Sequence, residues 1–109
     1  MAPLFEVVYL FSAEDGYLAE IRRMDRDASA HKSDIYQWLW LEDGAARSLQ
    51  FVAMASAPMQ QRVFREAQLS FDDKRGELRW VNGEPIALVA ETDKNLPASI
   101  TQLVNNHLS

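Results

Sequence analysis

His31 and His107 are the chain's two imidazoles and cysteine is absent, so nucleophilic, redox or metal chemistry must be sought in a short inventory. A serine or threonine nucleophile needs a base within hydrogen-bond reach, most often histidine. His31 lies in Ala28-Ser29-Ala30-His31-Lys32-Ser33-Asp34, where nearby serines and Asp34 let a hydrolytic triad be imagined. No serine occupies a Gly-x-Ser-x-Gly turn, however, and a small polar loop of this kind reads as solvated surface. His107 falls at the end of a helical pattern, where a cation complements the helix dipole. The two histidines form no ligand motif and His-Glu-x-x-His is absent. Asp25-Arg26-Asp27 spaces two carboxylates as a Mg²⁺ site could use them, but with Arg26 between them a solvated face explains them better. The isolated Gly16, Gly44, Gly76 and Gly83 each fit a turn, and none builds a phosphate-cradling loop. We therefore expect no catalytic, cofactor-binding or metal-binding residue and no cofactor. Paired carboxylates that meet only in space escape a reading by spacing.

The strongest structural signal is Asp34-Ile35-Tyr36-Gln37-Trp38-Leu39-Trp40-Leu41, closed by Glu42-Asp43-Gly44. As a strand it sets Tyr36, Trp38 and Trp40 on one face. That face is either the middle of a core or an aromatic platform for a partner. A two-residue Asp43-Gly44 turn pairs Glu42 with Ala45, Trp40 with Arg47, Trp38 with Leu49 and Tyr36 with Phe51. Its other face pairs Leu39 with Ser48, Gln37 with Gln50 and Ile35 with Val52. Each aromatic then meets an apolar residue or a stackable arginine, which favours the core.

Composition sets outer limits. A chain of 109 residues, 48% hydrophobic and 25% charged, fits one domain over 1–109. The apolar stretch from Leu4 to Phe11 is too short for a membrane span and has no preceding basic residue, so a cytoplasmic protein without a membrane is the expectation. Of the net charge of −5, residues 1–55 contribute nine acids against five bases. With no basic footprint, nucleic-acid binding is disfavoured. Asp25, Asp27, Glu42 and Asp43 have no evident duty beyond turn formation, which makes them candidates for contact with a protein partner.

Turn signals at Glu14-Asp15-Gly16, Glu42-Asp43-Gly44, 72–76 and Asn82-Gly83-Glu84 divide the chain. Across the last two, Phe71 pairs with Leu78, Leu69 with Trp80, Trp80 with Ile86 and Leu78 with Leu88, giving a three-stranded meander over 67–91. Leu96, Ile100, Leu103, Val104 and Leu108 recur at helical spacing, with Pro97 in the first turn, and predict a helix over 97–108. Residues 13–25 fit a helix capped by Ser12 slightly better than a strand that matches Tyr9 with Ile21. Residues 57–67 fit a helix opened by Ser56-Ala57-Pro58, or else 63–71 form one long strand.

The expected fold is α+β: an antiparallel, meander-rich sheet of five to seven strands with the C-terminal amphipathic helix packed on it. Its core should hold Tyr9, Tyr36, Trp38, Phe51, Leu69, Phe71, Leu78, Trp80, Ile86, Leu88, Ile100 and Leu103. In size and charge alone such a domain resembles secretion chaperones and toxin-immunity proteins. The failed search for chemistry favours a non-enzymatic binding or regulatory protein with a protein partner, a monomer or a homodimer formed through a free edge at residues 4–11. The alternative is a small-molecule-binding or enzymatic domain with a pocket between sheet and helix.

Overall fold

The Asp43-Gly44 turn forms with Gly44 at φ 76°, the left-handed step that glycine takes without a Cβ penalty. It joins β3 (Tyr36–Glu42) to β4 (Ala45–Leu49), pairing Glu42 with Ala45, Trp40 with Arg47 and Trp38 with Leu49 as the sequence requires. The same hairpin logic at Glu14-Asp15 joins β1 (Phe5–Ala13) to β2 (Gly16–Arg23). A four-residue helix α1 (Lys32–Ile35) leads into β3, so Asp34 and Ile35 belong to a helical turn and not to the strand. Then follow β5 (Phe51–Ala55), β6 (Gln60–Phe64), β7 (Ala67–Phe71), β8 (Arg75–Trp80), β9 (Pro85–Ala90) and helix α2 (Ala98–Leu108). The computed structural model describes residues 3–55, 60–71 and 75–109.

All nine strands form one antiparallel sheet in the order β4-β3-β2-β1-β9-β8-β7-β6-β5. Its two edges, β4 and β5, are consecutive in the chain with Gln50 alone between them, so the sheet must curl until its edges meet. Aromatic contacts across the interior confirm the curl. Trp38 of β3 lies 5.7 Å from Phe64 of β6, and Trp40 of β3 lies 6.2 Å from Trp80 of β8. Where the edges meet, the Gln50 backbone is fixed by Arg65 N–H donating to its carbonyl (2.8 Å) and by its own N–H donating to Glu66 Oε2 (2.8 Å). The result is a nearly closed barrel. Residues 45–55 act as one bent staple, pairing with β3 through the first half and with β6 through the second.

Alternation gives the sheet two buried faces. Phe11, Leu18, Trp38, Trp40, Leu49, Phe64, Leu69, Leu78 and Leu88 fill the barrel. On the outside of β1–β3, Leu10, Ala19, Ile21, Leu39 and Leu41 lie under α2, which contributes Val104 and Leu108. Two polar clamps hold that helix. Arg23 Nη2 donates to the Leu108 carbonyl (3.0 Å), and Ser48 Oγ bonds to His107 Nε2 (2.7 Å). Arg23 is itself held by a two-point pair with Asp25 (2.9 and 2.8 Å).

Several expectations need correction. The architecture is mostly β, with nine strands in a barrel-like sheet, and not an α+β sheet of five to seven strands. Residues 16–23 are strand, because both of their faces are covered, and a run that is apolar on both sides carries no helix-excluding alternation. The strand alternative matched Tyr9 with Ile21; a bulge after Val7 instead puts Tyr9 opposite Glu20. Residues 60–71 form two strands broken at Arg65-Glu66, neither a helix over 57–67 nor one strand over 63–71. The Ser56-Ala57-Pro58 helix start lies outside the described residues. β1 is paired with β2 along its length but with β9 only at Phe11 and Ser12, so among the described residues the second side of residues 5–9 carries no strand pairing; the ends of the sheet order are β4 and β5. The meander exists, but Leu69 faces Leu78 and Leu78 faces Ile86, a slip of two residues at each turn that leaves every side chain on its expected face. Tyr36 and Phe51 do not pair, because the chain leaves β3 at Leu49.

Candidate functional site

The bent staple leaves the β4 side of β3 unpaired at Gln37 and Tyr36, and the barrel opens there between β3 and β5. A cavity of about 840 Å³ occupies this mouth. Its apolar wall is Trp38, Tyr36, Leu49, Phe51 and Met54, and three charged residues line it, Glu20 from β2, Lys32 from α1 and Arg62 from β6. Glu20 and Arg62 arrive by alternation. Glu20 follows the interior Leu18 by two residues, and Arg62 precedes the interior Phe64 by two.

Arg62 is enclosed by rings, its guanidinium 5.1 Å from the centre of Phe71, 5.6 Å from Trp38 and 5.9 Å from Tyr9. Its Nη1 is buried and has no hydrogen-bond partner among the described residues. Tyr9 in turn stacks on Trp38 at 6.3 Å with the rings nearly parallel. Burial holds the Glu20 carboxyl above the ordinary glutamate range, against the opposing pull of the Arg62 charge and a Trp38 hydrogen bond. Among the described residues no ion pair joins Glu20 to Arg62. Arg62 and Glu20 therefore line one cavity without an ion pair between them among the described residues.

At the other end of the barrel the corresponding seam is plugged. Arg47 lies 4.5 Å over the Trp80 ring, and the remaining recess of about 490 Å³ is lined by Glu14, Asp15, Trp40 and Glu42 among others.

The residues singled out from sequence fall elsewhere. Trp38 and Trp40 are buried, which removes the aromatic platform, while Tyr36 stands exposed at the mouth. Asp25 and Asp27 follow β2; Glu42 and Asp43 sit at the turn after β3, whose partner residue on β2 is Gly16. The four acids are thus two pairs at opposite ends of the same strands, and one protein contact would have to span about 20 Å to reach both. Asp25 also has a structural duty in the Arg23 clamp, and Asp27 accepts from the Ser29 N–H at 3.0 Å. Among the described residues no cluster of three or more His, Cys, Asp or Glu is placed to hold a metal. The sequence reading passed over Glu20 and Arg62. Their signal is a charge at an inward position of a strand whose neighbours two residues away are apolar.

The Arg23 hydrogen bond keeps Asp25 below the ordinary aspartate range. A carboxylate depressed in the folded state stabilises it above the unfolded-state pKa, and the contribution disappears as pH falls through the folded one. Asp25→Asn is therefore expected to be less stable than the wild type at neutral pH, with the two melting curves converging below about pH 4. A constant gap down to acid would show that the carboxylate charge is not what holds Arg23.

Neither a protein-family model, nor a curated protein, nor a solved structure matches the chain. What fold and site define is a class: a small antiparallel barrel, capped on one flank by a helix, with a mouth that opens between β3 and β5. Among the described residues no helix is long and apolar enough to cross a membrane.

Proposed function

We propose that this protein is a non-enzymatic binding module that takes a small, mostly apolar molecule into the mouth of its barrel. The observation that supports this most is Arg62, which lines the cavity beside Glu20 and whose Nη1 is buried without a partner. Buried polar groups are ordinarily satisfied, since leaving one unpaired costs about 1–3 kcal/mol. A barrel keeps such a group when a ligand satisfies it. The volume also suits a ligand, because pockets of about 300–1,000 Å³ hold molecules of drug size between apolar walls and a few convergent polar groups. This departs from the pocket expected between sheet and helix, since α2 covers the outside of the barrel. Cytoplasmic residence belongs to the proposal and draws on the cysteine-free sequence.

The test is a ¹H–¹⁵N spectrum recorded against a library of small aromatic and aliphatic compounds. Shifts are expected to concentrate on Glu20, Trp38, Leu49, Phe51 and Arg62, including the Trp38 indole N–H. Met54→Trp, at an exposed rim position, should block binding without loss of fold. Compounds that shift residues across the outer face, or bind Met54→Trp unchanged, would remove the mouth as the site.

A second reading keeps the protein partner. Edge strand β5 carries exposed Phe51, Val52 and Met54 and has no strand paired on its outer side among the described residues, the arrangement that accepts an added strand. Light scattering on the same samples separates the two, since strand addition between copies raises the mass and ligand binding does not.

A further inference from the structure

We infer that the mouth takes an organic anion, a carboxylate on an apolar body, with its headgroup on the Arg62 guanidinium and its body along Trp38, Phe51 and Met54. This deepens the proposed function and rests on it.

Three observations point to the sign of the charge. First, the cavity is lined by Arg62 and Lys32 against Glu20 alone, two cations to one acid, in a chain whose formal charge is −5. The local balance is the reverse of the global one. Second, the unmet hydrogen-bonding capacity is a donor. Arg62 Nη1 is buried without a partner, and a guanidinium presents planar N–H pairs that match a carboxylate. Three rings lie within 5.9 Å of the guanidinium, and these cation–ring contacts favour one position of its fork. Third, Glu20 is poorly placed to serve a cation. A ligand cation entering the cavity would meet Arg62 and Lys32 as well as Glu20, whose burial disfavours its charged form. The apolar body follows from the walls. Phe51 and Met54 are exposed at the mouth although large and apolar, and Trp38, itself almost wholly buried, also lines the cavity.

Ring-bearing and chain-bearing carboxylates share this chemistry, so the probes must separate them. Calorimetric titration of the full chain with 1-naphthoate, decanoate, 1-naphthalenemethanol and 1-naphthalenemethylammonium does so. One of the two carboxylates is expected to bind about ten- to a hundredfold more tightly than the alcohol, as a charge-assisted hydrogen bond to a buried guanidinium would give, and the ammonium more weakly than either. Whichever carboxylate binds identifies the body. In Arg62→Met the preference over the alcohol should vanish while the alcohol still binds. If that variant fails to fold, the wild-type ranking decides the matter alone. Equal binding of anion, alcohol and cation would overturn the anion and leave the mouth standing as an apolar site. Binding of none of the four would overturn the mouth as well.

Discussion

The double replacement Glu20→Leu with Arg62→Met is expected to raise the stability of the free protein by about 1–4 kcal/mol, the range found when buried ionic groups give way to apolar residues of similar volume. The two side chains line one cavity but share no ion pair among the described residues, so the Arg62 charge offsets only part of the Glu20 desolvation. Burial raises the Glu20 pKa, and an acid whose folded-state pKa lies above its unfolded value makes folding less favourable as pH rises through that window. Removing the carboxyl therefore helps most at neutral pH and least in acid. Methionine at position 62 loses the cation–ring attraction, worth about 0.5–2 kcal/mol, but keeps thioether contacts with Phe71, Trp38 and Tyr9. Denaturant melts of the wild type, both singles and the double, at neutral and acid pH, read the effect. A double variant less stable than the wild type would mean that Glu20 and Arg62 serve the fold, and the case for a ligand would lose its main support.

That expectation explains why the site was so poorly legible in the sequence. Of twelve residues assigned to the core, Tyr9, Tyr36 and Phe51 are exposed. All three gather at the mouth: Tyr36 and Phe51 line the cavity, and Tyr9 stacks on Trp38 beside Arg62. Large aromatics look like core to any pattern argument, and the place where they fail to be buried is the place where the barrel is left open. Glu20 and Arg62 erred in the opposite sense. They are charges on strands that a pattern argument passes over, although their alternation partners Leu18 and Phe64 point inward.

The fold was legible where contacts are local. Glu42-Asp43-Gly44 fixed the register from Glu42/Ala45 to Trp38/Leu49, and the helical spacing of Ile100, Val104 and Leu108 placed α2. Legibility ended at Gln50. The chain there stops pairing with β3 and joins β6, a strand that follows it, and nothing local in Leu49-Gln50-Phe51 announces the exchange. Closure depends on Trp38 meeting Phe64 and Trp40 meeting Trp80, contacts between strands far apart in the sheet. Residues 16–23 were misread for a related reason. Leu18 faces the barrel, Ala19 and Ile21 face α2, and both layers are invisible until the whole sheet exists.

Because β1–β3 carry a buried layer on each face, barrel and helix should melt as one unit. Leu39 tests this most directly. It is fully buried on the outer face of β3 beneath α2, with Trp38 and Trp40 as its chain neighbours on the inner face. Leu39→Ala is expected to cost about 2–5 kcal/mol, the range for emptying a buried leucine site that cannot collapse. Collapse is resisted here, since Arg23 and His107 pin the helix to the strands at Leu108 and Ser48. For a domain of this size each kilocalorie corresponds to about 4–8 °C in Tm, so the variant should melt well below the wild type. The shift alone does not prove coupling; the probes do. Near-ultraviolet dichroism reports the tryptophans inside the barrel, and amide exchange at Val104 reports the helix outside it. Coincident loss of both signals is the expected result, because a strand that loses its outer layer cannot hold its inner one in register. If the α2 amides exchange freely while the tryptophan signal persists to the wild-type melting temperature, the helix is a separable cover and the barrel stands without it.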